Sequence, residues 1–299
     1  MLDNCFYKLI FKRKSEEKIK MEKPILVFQT DFTYKEGAVS AMYGVVKTVD
    51  RSLEIFTGSH EIPHFDAWST SYRLWQTVRF WPKGTVFVSV VDPGVGTDRR
   101  AAAVKTKDGY IIITPDNGSL THIVKFHGIE EIRMIDYANR RPTSEGSAVF
   151  DGRDLFGYNA ARLAAGQITF EELGPEYPAE EIVMIPMPKA HSEEGMVSGY
   201  FEIVDPNFGN MWSNILAEDF EHAGFEYGDE LVLKVEHEGK TVLEKAMPYC
   251  KAFGDVKKGE PLLYTTELLH VSAALSEGSM LEEYKLGFGP DWKVEIRRK

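Results

Sequence analysis

The sequence predicts an α/β protein, with an N-terminal α/β domain around a largely parallel central sheet and a smaller, antiparallel β domain after it. Short apolar, β-branched runs alternate with segments of helical spacing as far as residue 165, which is typical of strand-loop-helix units. Prolines then crowd an acidic stretch, Pro175–Pro188, which indicates a linker. Beyond it, alternating runs such as Gly199–Val204 and Glu230–Val235 recur with turns between them, as in antiparallel sheets.

The expected domain limits are residues 21–180 for the first domain and residues 190–299 for the second. Residues 1–20 are charged and lack the apolar core and small-residue cleavage site of a signal peptide, whereas Met21 directly precedes a strong strand. We therefore expect residues 1–20 to be a poorly ordered leader, and a chain that starts at Met21 to fold and assemble like the longer one.

The composition is that of an acidic globular protein. A formal net charge of −11 argues against nucleic-acid binding, which needs clustered Lys and Arg, and no apolar run is long enough to cross a membrane. Only Cys5 and Cys250 occur, so neither a disulfide framework nor a cysteine zinc site is supported, and a cytoplasmic location is expected. His60 and His64 have the spacing of a helical metal pair, but Pro63 between them favours a loop instead.

The elements of the first domain follow in chain order. The first strand is Ile25–Phe32, and apolar residues at helical spacing predict a helix over Gly37–Val49. Leu53–Phe56 is the next strand, and Asp66 is placed to cap a helix that runs to Phe80. The remaining predicted elements are a buried strand at Gly84–Ser89, an apolar segment at Ala101–Val104, strands at Tyr110–Thr114 and Ile132–Ile135, and helices at Ser119–Phe126 and Phe150–Ala165.

Carboxylates follow three of the predicted strands, at Asp31, Asp92 and Asp116. Because the carboxyl ends of parallel strands meet at one edge of a sheet, we expect these side chains to converge. Converging buried carboxylates are costly unless a hydroxyl, a cation or a mobile proton uses them, so their repetition indicates a functional site. The alternative is that each aspartate caps its own loop.

Three further stretches carry candidate chemistry. Val90–Arg100 combines a carboxylate, a Pro-Gly turn that brings backbone close to a ligand, and two guanidinium groups. Phe150–Asp154 places carboxylates and a guanidinium at a helix start, where an ordinary capped N-terminus is the alternative. Asp205–Asn214 offers amides and aromatic surface for a planar ring, although an Asn- and Gly-rich turn explains part of it. No dinucleotide or P-loop motif is present.

Six motifs in order resemble the SAM hydroxide adenosyltransferases, also called adenosine-forming SAM hydrolases, which are relatives of the SAM-dependent fluorinase and chlorinase. The resemblance extends from about Pro24 to about Arg298. The motifs are Thr30–Phe32, His60–Pro63, Val91–Arg100, Pro115–Gly118, Phe150–Asp154 and Phe208–Ile215.

The family resemblance implies an N-terminal α/β domain, a C-terminal β-barrel-like domain, and homotrimers whose sites lie between subunits. It also implies the reaction: water-derived hydroxide attacks C5′ of SAM, so that methionine leaves and adenosine remains. Displacement at a sulfonium needs no metal or other cofactor, because the leaving group departs neutral. It needs an activated oxygen in line behind C5′ and exclusion of bulk water.

The resemblance further implies catalytic residues. Asp92 and Arg99 match two members of an Asp-Arg-His set around the water, and Asp151 stands where the family has the histidine. Two close carboxylates do not both ionise cheaply, so we expect coupled titrations with one raised pKa unless Arg99 or Arg153 compensates. Replacing Asp151 by His is then expected to raise the rate at neutral pH.

The substrate-binding residues follow from the same resemblance. Asp31 would hold ribose hydroxyls, and Phe65 stands where the halogenases carry a Trp. Thr266 or Glu267 takes the place of the Asn-Ser pair that the family usually has. The full expected set is Asp31, Phe65, Asn117, Asp205, Phe208, Asn210, Trp212, Phe253 and Thr266.

Two alternative functions stay open. A SAM-dependent halogenase is disfavoured because the Asp92 carboxylate would repel a halide, whereas it can accept a proton from water. The other is a non-catalytic protein that senses SAM or adenosine with the retained pocket. Product formation separates this alternative from the enzyme.

Overall fold

The computed structural model describes residues 22–142 and 147–299. These residues form two compact units, one that ends at Met184 and one that runs from Ile185 to Lys299. The division falls within the proline-crowded stretch that the sequence indicates as a linker. The expectations for residues 1–20 lie outside the described residues.

The first unit is built on a mixed, mostly parallel sheet. Its strands are β1 (Leu26–Thr30), β2 (Ile55–Ser59), β3 (Val86–Val90), β4 (Ala101–Thr106), β5 (Ile111–Pro115) and β6 (Ile129–Met134). In the described residues their order is β2-β1-β3-β5-β4-β6, with β2, β1, β3 and β5 parallel and β4 antiparallel to both its neighbours. Every residue of β1 and β3 is buried, because helices cover both faces of the sheet.

The helices of this unit are α1 (Ala38–Val49), α2 (Ala67–Val78), α3 (Thr121–Phe126) and α4 (Tyr158–Ala164), the last preceded by a π-helical turn at Gly152–Gly157. α1 packs against the π-helical turn and α4, while α2 packs against α3. The predicted cap of α2 is confirmed, since Asp66 Oδ1 accepts the Ser69 N–H at 2.9 Å. No helix in the described part of the chain is long and apolar enough to cross a membrane.

The second unit is an antiparallel sheet that nearly closes into a barrel. Its strands are β7 (His191–Glu193), β8 (Met196–Val204), β9 (Met211–Leu216), β10 (Glu230–His237), β11 (Lys240–Pro248), β12 (Pro261–Thr265), β13 (His270–Leu275) and β14 (Trp292–Arg298). They run in the order β11-β10-β14-β8-β9-β13-β12, with β7 on β8. A bridge between Tyr249 and Leu263 brings β12 beside the end of β11. The short helices α5 (Ala217–His222) and α6 (Met280–Tyr284) complete the unit.

Each unit has its own apolar core. In the first, Phe28 and Val88 of the sheet pack with Met42 of α1 and Phe156 of the π-helical turn. In the second, the inward-facing residues of the strands fill the barrel. The predicted fold class, an α/β domain followed by a β-barrel-like domain, is confirmed.

Candidate functional site

The loop from β3 to β4 folds the Arg99 side chain back over its own turns. Val95 N–H donates to the Asp92 carbonyl at 3.3 Å and Thr97 N–H to the Gly94 carbonyl at 3.1 Å, so two tight turns follow each other. Gly96 has a φ of +77°, which glycine adopts without strain. A Cβ at Gly94 would lie 3.0 Å from Arg99 Cγ, so glycine leaves the room that the arginine needs.

Asp92 and Arg99 form a bidentate ion pair at the end of β3. Arg99 Nε lies 2.9 Å from Asp92 Oδ1 and 3.0 Å from Oδ2, and Nη2 also donates to Oδ2. The guanidinium is 8% exposed and lies over the Phe156 ring, 5.1 Å from its centroid. Burial lowers the pKa of Arg99, but the Asp92 and Asp151 carboxylates outweigh it, so the net pKa is raised.

Asp151 lies on the other side of Arg99, and its side chain is 0% exposed. Arg99 Nη2 donates to Oδ2 at 2.6 Å, Tyr137 OH donates to Oδ2 at 2.7 Å, and Arg140 Nη1 donates to Oδ1. Burial raises the pKa of Asp151, but these donors outweigh it and hold the pKa below its ordinary value.

This geometry corrects the expected charge balance. Arg99 does compensate, but Arg153 does not, because it binds Asp154 at 2.7 and 2.6 Å. The second compensating cation is Arg140, which the sequence analysis missed because it lies in a polar loop outside every motif. Because Arg99 compensates, as the sequence analysis allowed, the pKa of Asp151 is lowered, and the expected coupled titration stays a prediction.

A local turn delivers Tyr137 and Arg140 to the site. Asp136 Oδ1 accepts the Ala138 N–H at 2.8 Å and so caps the 3₁₀ turn Tyr137–Asn139. The Tyr137 hydroxyl accepts from Arg99 Nη1 at 3.2 Å while it donates to Asp151. Burial, together with the hydrogen bond to Asp151, raises the pKa of Tyr137.

A cavity of about 280 Å³ opens at the carboxyl ends of β1 and β3. Asp31 lines it and accepts the Phe65 N–H at 3.0 Å, with His64 Nδ1 4.0 Å from the same oxygen. Phe65 has a φ of +65°, a strained value for a bulky residue, and its side chain is 72% exposed at the cavity. The lining residues are Asp31, Phe32, Glu36, His64, Phe65, Val90, Asp92, Val95, Val149, Phe150, Asp151 and Gly152.

Asp116 does not join this cluster, so the expected convergence of three strand-end carboxylates is wrong for it. Its Oδ2 accepts from Arg100 Nε and from Tyr177 OH, both at 3.1 Å, and its Oδ1 accepts the Val183 N–H at 2.9 Å. The reason is that β4 runs antiparallel beside β5 and sets Arg100 opposite Asp116.

Asn117 is placed outside the cavity as well. Its amide donates to the Val91 carbonyl at 2.9 Å, and its oxygen accepts from Ser119 Oγ at 2.5 Å. It therefore fixes the end of β3, and its direct contact with substrate stays a prediction.

His60 is hydrogen-bonded to Thr30, the last residue of β1. Thr30 Oγ1 lies 2.8 Å from its Nδ1, and Tyr43 OH lies 2.8 Å from its Nε2. Burial lowers the pKa of His60 to about 4, so the ring is neutral at physiological pH. Among the described residues no group of three or more His, Cys, Asp or Glu side chains is placed to hold a metal.

The second unit contains a wider cavity of about 920 Å³. Asp205 Oδ1 accepts the Asn207 N–H at 3.0 Å, and Gly209, with a φ of +68°, turns the chain toward β9. A Cβ at Gly209 would collide with Ser279. Five predicted substrate-binding residues line this cavity: Asp205, Phe208, Asn210, Trp212 and Phe253.

Tyr264 and Glu267 also line the second cavity, whereas Thr266 does not. Thr266 is buried, and its hydroxyl accepts the N–H groups of Leu268 at 3.3 Å and His270 at 3.2 Å, which holds the turn between β12 and β13. Its neighbours therefore point into the cavity, and contact of Thr266 with substrate stays a prediction. Tyr264 was missed as a site residue because an aromatic residue within an apolar strand carries no local signal of a binding site.

The aromatic side chains of this cavity differ in their hydrogen bonding and in their exposure. Trp212 Nε1 donates to Tyr264 OH at 3.0 Å, and the rings of Tyr264 and Phe253 lie 4.8 Å apart. Phe208 is 67% exposed and Phe253 is 40% exposed, so both present ring faces to solvent. Exposed aromatic surface in a cavity is suited to a planar ligand.

Comparisons with known proteins agree with both units. Residues 26–174 match the model of the SAM hydroxide adenosyltransferase N-terminal domain, and residues 199–293 match that of the C-terminal domain. An (R)-S-adenosyl-L-methionine hydrolase of Thermus thermophilus is 30% identical over 88% of this chain and 96% of its own. A fluorinase of Actinopolyspora mzabensis is 27% identical over 91% of this chain and 97% of its own.

A solved structure has the same fold. An uncharacterized conserved protein from Thermotoga maritima is 32% identical, with a TM-score of 0.82 over 92% of this chain and 100% of its own. Both family models follow each other in the order of the two units. The chain therefore belongs to the SAM hydroxide adenosyltransferase family.

Proposed function

We propose that this protein hydrolyses S-adenosyl-L-methionine to adenosine and L-methionine. The observation that carries the proposal is the Asp92 carboxylate, which Arg99 holds at the edge of the cavity at the ends of β1 and β3. The relatives named (R)-S-adenosyl-L-methionine hydrolase support hydrolysis as the reaction of this chain.

The chemistry is a displacement at C5′. Water-derived hydroxide forms the new C5′–O bond as the C5′–S bond breaks, and the electron pair goes to sulfur, which leaves as the neutral thioether of methionine. The proton of the water goes to Asp92 and then to solvent. Because the leaving group carries no negative charge, the step requires neither a metal nor another cofactor, and we propose that none takes part.

The first cavity would hold the reacting end of the substrate. Asp92 accepts the proton, Arg99 fixes the orientation of that carboxylate, and Asp151 anchors Arg99 from the other side. Asp31 binds the ribose hydroxyls, and the exposed Phe65 ring covers them.

The second cavity would hold the recognition end. Phe208 and Phe253 flank the adenine, and Trp212 adds apolar surface beside them. Asp205 and Asn210 bind ribose hydroxyls or the methionine end.

We further propose that the protein acts as a cytoplasmic homotrimer in which the two sets of residues come from neighbouring subunits. The support is the family resemblance and the division of the candidate residues between two units. Light scattering should give a trimer or a multiple of one. A stable monomer with full affinity for SAM contradicts the shared site.

The reaction is tested by incubation with each sulfonium epimer of SAM in isotopically labelled water, with and without a chelator. We expect adenosine with one labelled oxygen at C5′, at a rate that the chelator leaves unchanged. Parallel incubations with fluoride and chloride test the halogenase alternative, for which a 5′-halogenated product is the sign.

A SAM or adenosine sensor is the second candidate. The observation that favours it is Asp151, because donors from Arg99, Arg140 and Tyr137 occupy its oxygens in place of an imidazole base. Saturable binding of SAM without any product, under conditions where the protein is folded, establishes the sensor.

A further inference from the structure

Two guanidinium groups, those of Arg99 and Arg140, contact the Asp151 carboxylate. We propose that Arg140 is a positioning residue that keeps Asp151 an ionised, occupied carboxylate, so that Asp151 anchors Arg99 while Asp92 takes the proton. This inference rests on the proposed hydrolysis for its kinetic consequence, but its structural part can be tested without turnover.

Arg140 balances the buried negative charge at Asp151. Arg99 serves two carboxylates, with Nε and Nη2 on Asp92 and Nη2 also 2.6 Å from Asp151. One buried guanidinium between two carboxylates leaves one negative charge unpaired, which is costly because both carboxylates are buried. Arg140, with its side chain largely buried, supplies the second positive charge on the far oxygen of Asp151.

Both oxygens of Asp151 are also hydrogen-bonded. Asp151 Oδ1 accepts from Arg140, and Oδ2 accepts from both Arg99 and Tyr137. The Tyr137 proton points to Asp151, because its oxygen accepts from Arg99 Nη1 at 3.2 Å. Two guanidinium groups and a phenol therefore stabilise the charged form of Asp151, whereas the donors to Asp92 all come from the single guanidinium of Arg99.

Two further contacts hold Arg140 in place. Its Nη2 donates to the Ser147 carbonyl at 3.0 Å and lies 3.7 Å from Asp154 Oδ2. Asp154 already has a bidentate partner in Arg153, so Arg140 is not needed to neutralise it. The next residue, Arg141, lies 3.7 Å from Asp154 and offers a matched control on the same loop.

This arrangement changes the expectation for Asp151→His. An imidazole at position 151 would face the Arg140 guanidinium, which would then lose its carboxylate partner. We therefore expect Asp151→His alone to lower turnover, and Asp151→His with Arg140→Gln to recover part of it.

The experiment compares wild type with Arg140→Gln, Arg140→Lys, Asp151→Asn, the double variant Arg140→Gln with Asp151→Asn, and the control Arg141→Gln. Two readouts are used: the pH profile of kcat and kcat/KM, and the urea midpoint of unfolding between pH 3 and 7. We expect Arg140→Gln to lower kcat by about ten- to a hundredfold, because Arg99 and Asp92 lose their alignment. Arg140→Lys should restore part of this loss, and Arg141→Gln should keep the wild-type profile.

The sign of the pH effect follows from linkage. An aspartate whose pKa is lower in the folded chain stabilises the fold above its unfolded pKa, and this contribution is lost as the pH falls through the folded value. Without Arg140, burial raises the pKa of Asp151, and the stabilisation that the ionised carboxylate gives the fold becomes smaller. The urea midpoint of Arg140→Gln should therefore be nearest to that of wild type at the acid end and fall behind it as the pH rises.

The double variant separates the effect of Asp151 from the effects of the other charged groups near it. Asp151 faces Arg99, Arg140 and Tyr137, and it shares these arginines with Asp92 and Asp154. The acidic and imidazole groups that line the same cavity are Asp31, Glu36 and His64. None of these groups is removed by Asp151→Asn, so the pH-dependent gap caused by Arg140 should disappear in that background only if Asp151 is its source.

The outcomes distinguish the two proposals. The role of Arg140 is overturned if the difference in urea midpoint between wild type and Arg140→Gln does not widen as the pH rises. It is also overturned if that difference persists in the Asp151→Asn background. If the gap behaves as expected but no variant forms adenosine, the proposed hydrolysis fails and the role of Arg140 stands. If Arg140→Gln does not fold, ¹³C-carboxyl NMR of wild type decides: the signal absent from Asp151→Asn should not titrate from pH 7 to 5, and titration in that range contradicts the proposal.

Discussion

The two cavities differ in which of their side chains are buried and which are exposed. In the first unit, carboxylates and guanidinium groups are buried and paired, as Arg99 shows between Asp92 and Asp151. In the second unit, the cavity is wider and the rings of Phe208 and Phe253 remain exposed. The polar groups of the first cavity are thus fixed by ion pairs, whereas the second cavity keeps apolar surface that a planar ligand would cover.

The largest effect is expected at Asp92, the proposed proton acceptor. Asp92→Asn keeps the shape of the side chain but removes the charge that takes the proton, so turnover should fall by up to about 10⁴-fold. Single-turnover kinetics with SAM measures this, and calorimetric affinity for adenosine is the control that should change little. Turnover above one tenth of wild type would place the proton acceptor elsewhere.

The next effect concerns the pairing of buried charge. Arg99→Met leaves Asp92 and Asp151 facing each other without their shared guanidinium, which should lower the free energy of unfolding by about 3 kcal/mol at pH 7. The deficit should shrink as the pH falls, because the carboxylates then protonate. Urea unfolding across this pH range measures it. A deficit that is the same at every pH would show that lost packing, not charge, is responsible.

A smaller effect is expected in the open cavity, on affinity alone. Phe253→Ala should weaken adenosine binding by about 1–3 kcal/mol, since it removes one face of a stacking site. Its stability should stay within about 0.5 kcal/mol of wild type, because the ring is half exposed. Phe80→Ala, which truncates an exposed ring that lines neither cavity, is the matched control. Equal affinity losses in both variants would contradict a stacking role.

The smallest effect on function is expected at Asp116. Asp116→Asn weakens the contacts with Arg100 and Tyr177 and should lower stability by about 1 kcal/mol. Turnover should stay within about twofold of wild type, because the side chain does not line the cavity and has no part in the proposed reaction. A loss of turnover as large as that of Asp92→Asn would restore the expected convergence of three carboxylates.

Local sequence patterns were sufficient for much of the molecule. The apolar runs of β1 and β3, the Asp66 cap of α2 and the turns of the Asp92–Arg99 loop depend on near neighbours in the chain. Strand alternation after residue 190 likewise predicted an antiparallel β unit, because side chains alternate faces regardless of strand order. The family and the barrel-like form of the second unit came instead from the resemblance that the six motifs carry.

Only the tertiary structure decided which charges meet. The sequence shows the same pattern, a carboxylate after a strand, at Asp31, Asp92 and Asp116. In the structure β4 lies antiparallel beside β5, so that Arg100 pairs with Asp116. Arg140 lies in a polar loop with no motif, yet the capped turn before it delivers its guanidinium to Asp151. Ion pairs between distant residues depend on strand order and loop packing, which local patterns do not encode, and so the balance of charge in this site was set by the fold as a whole.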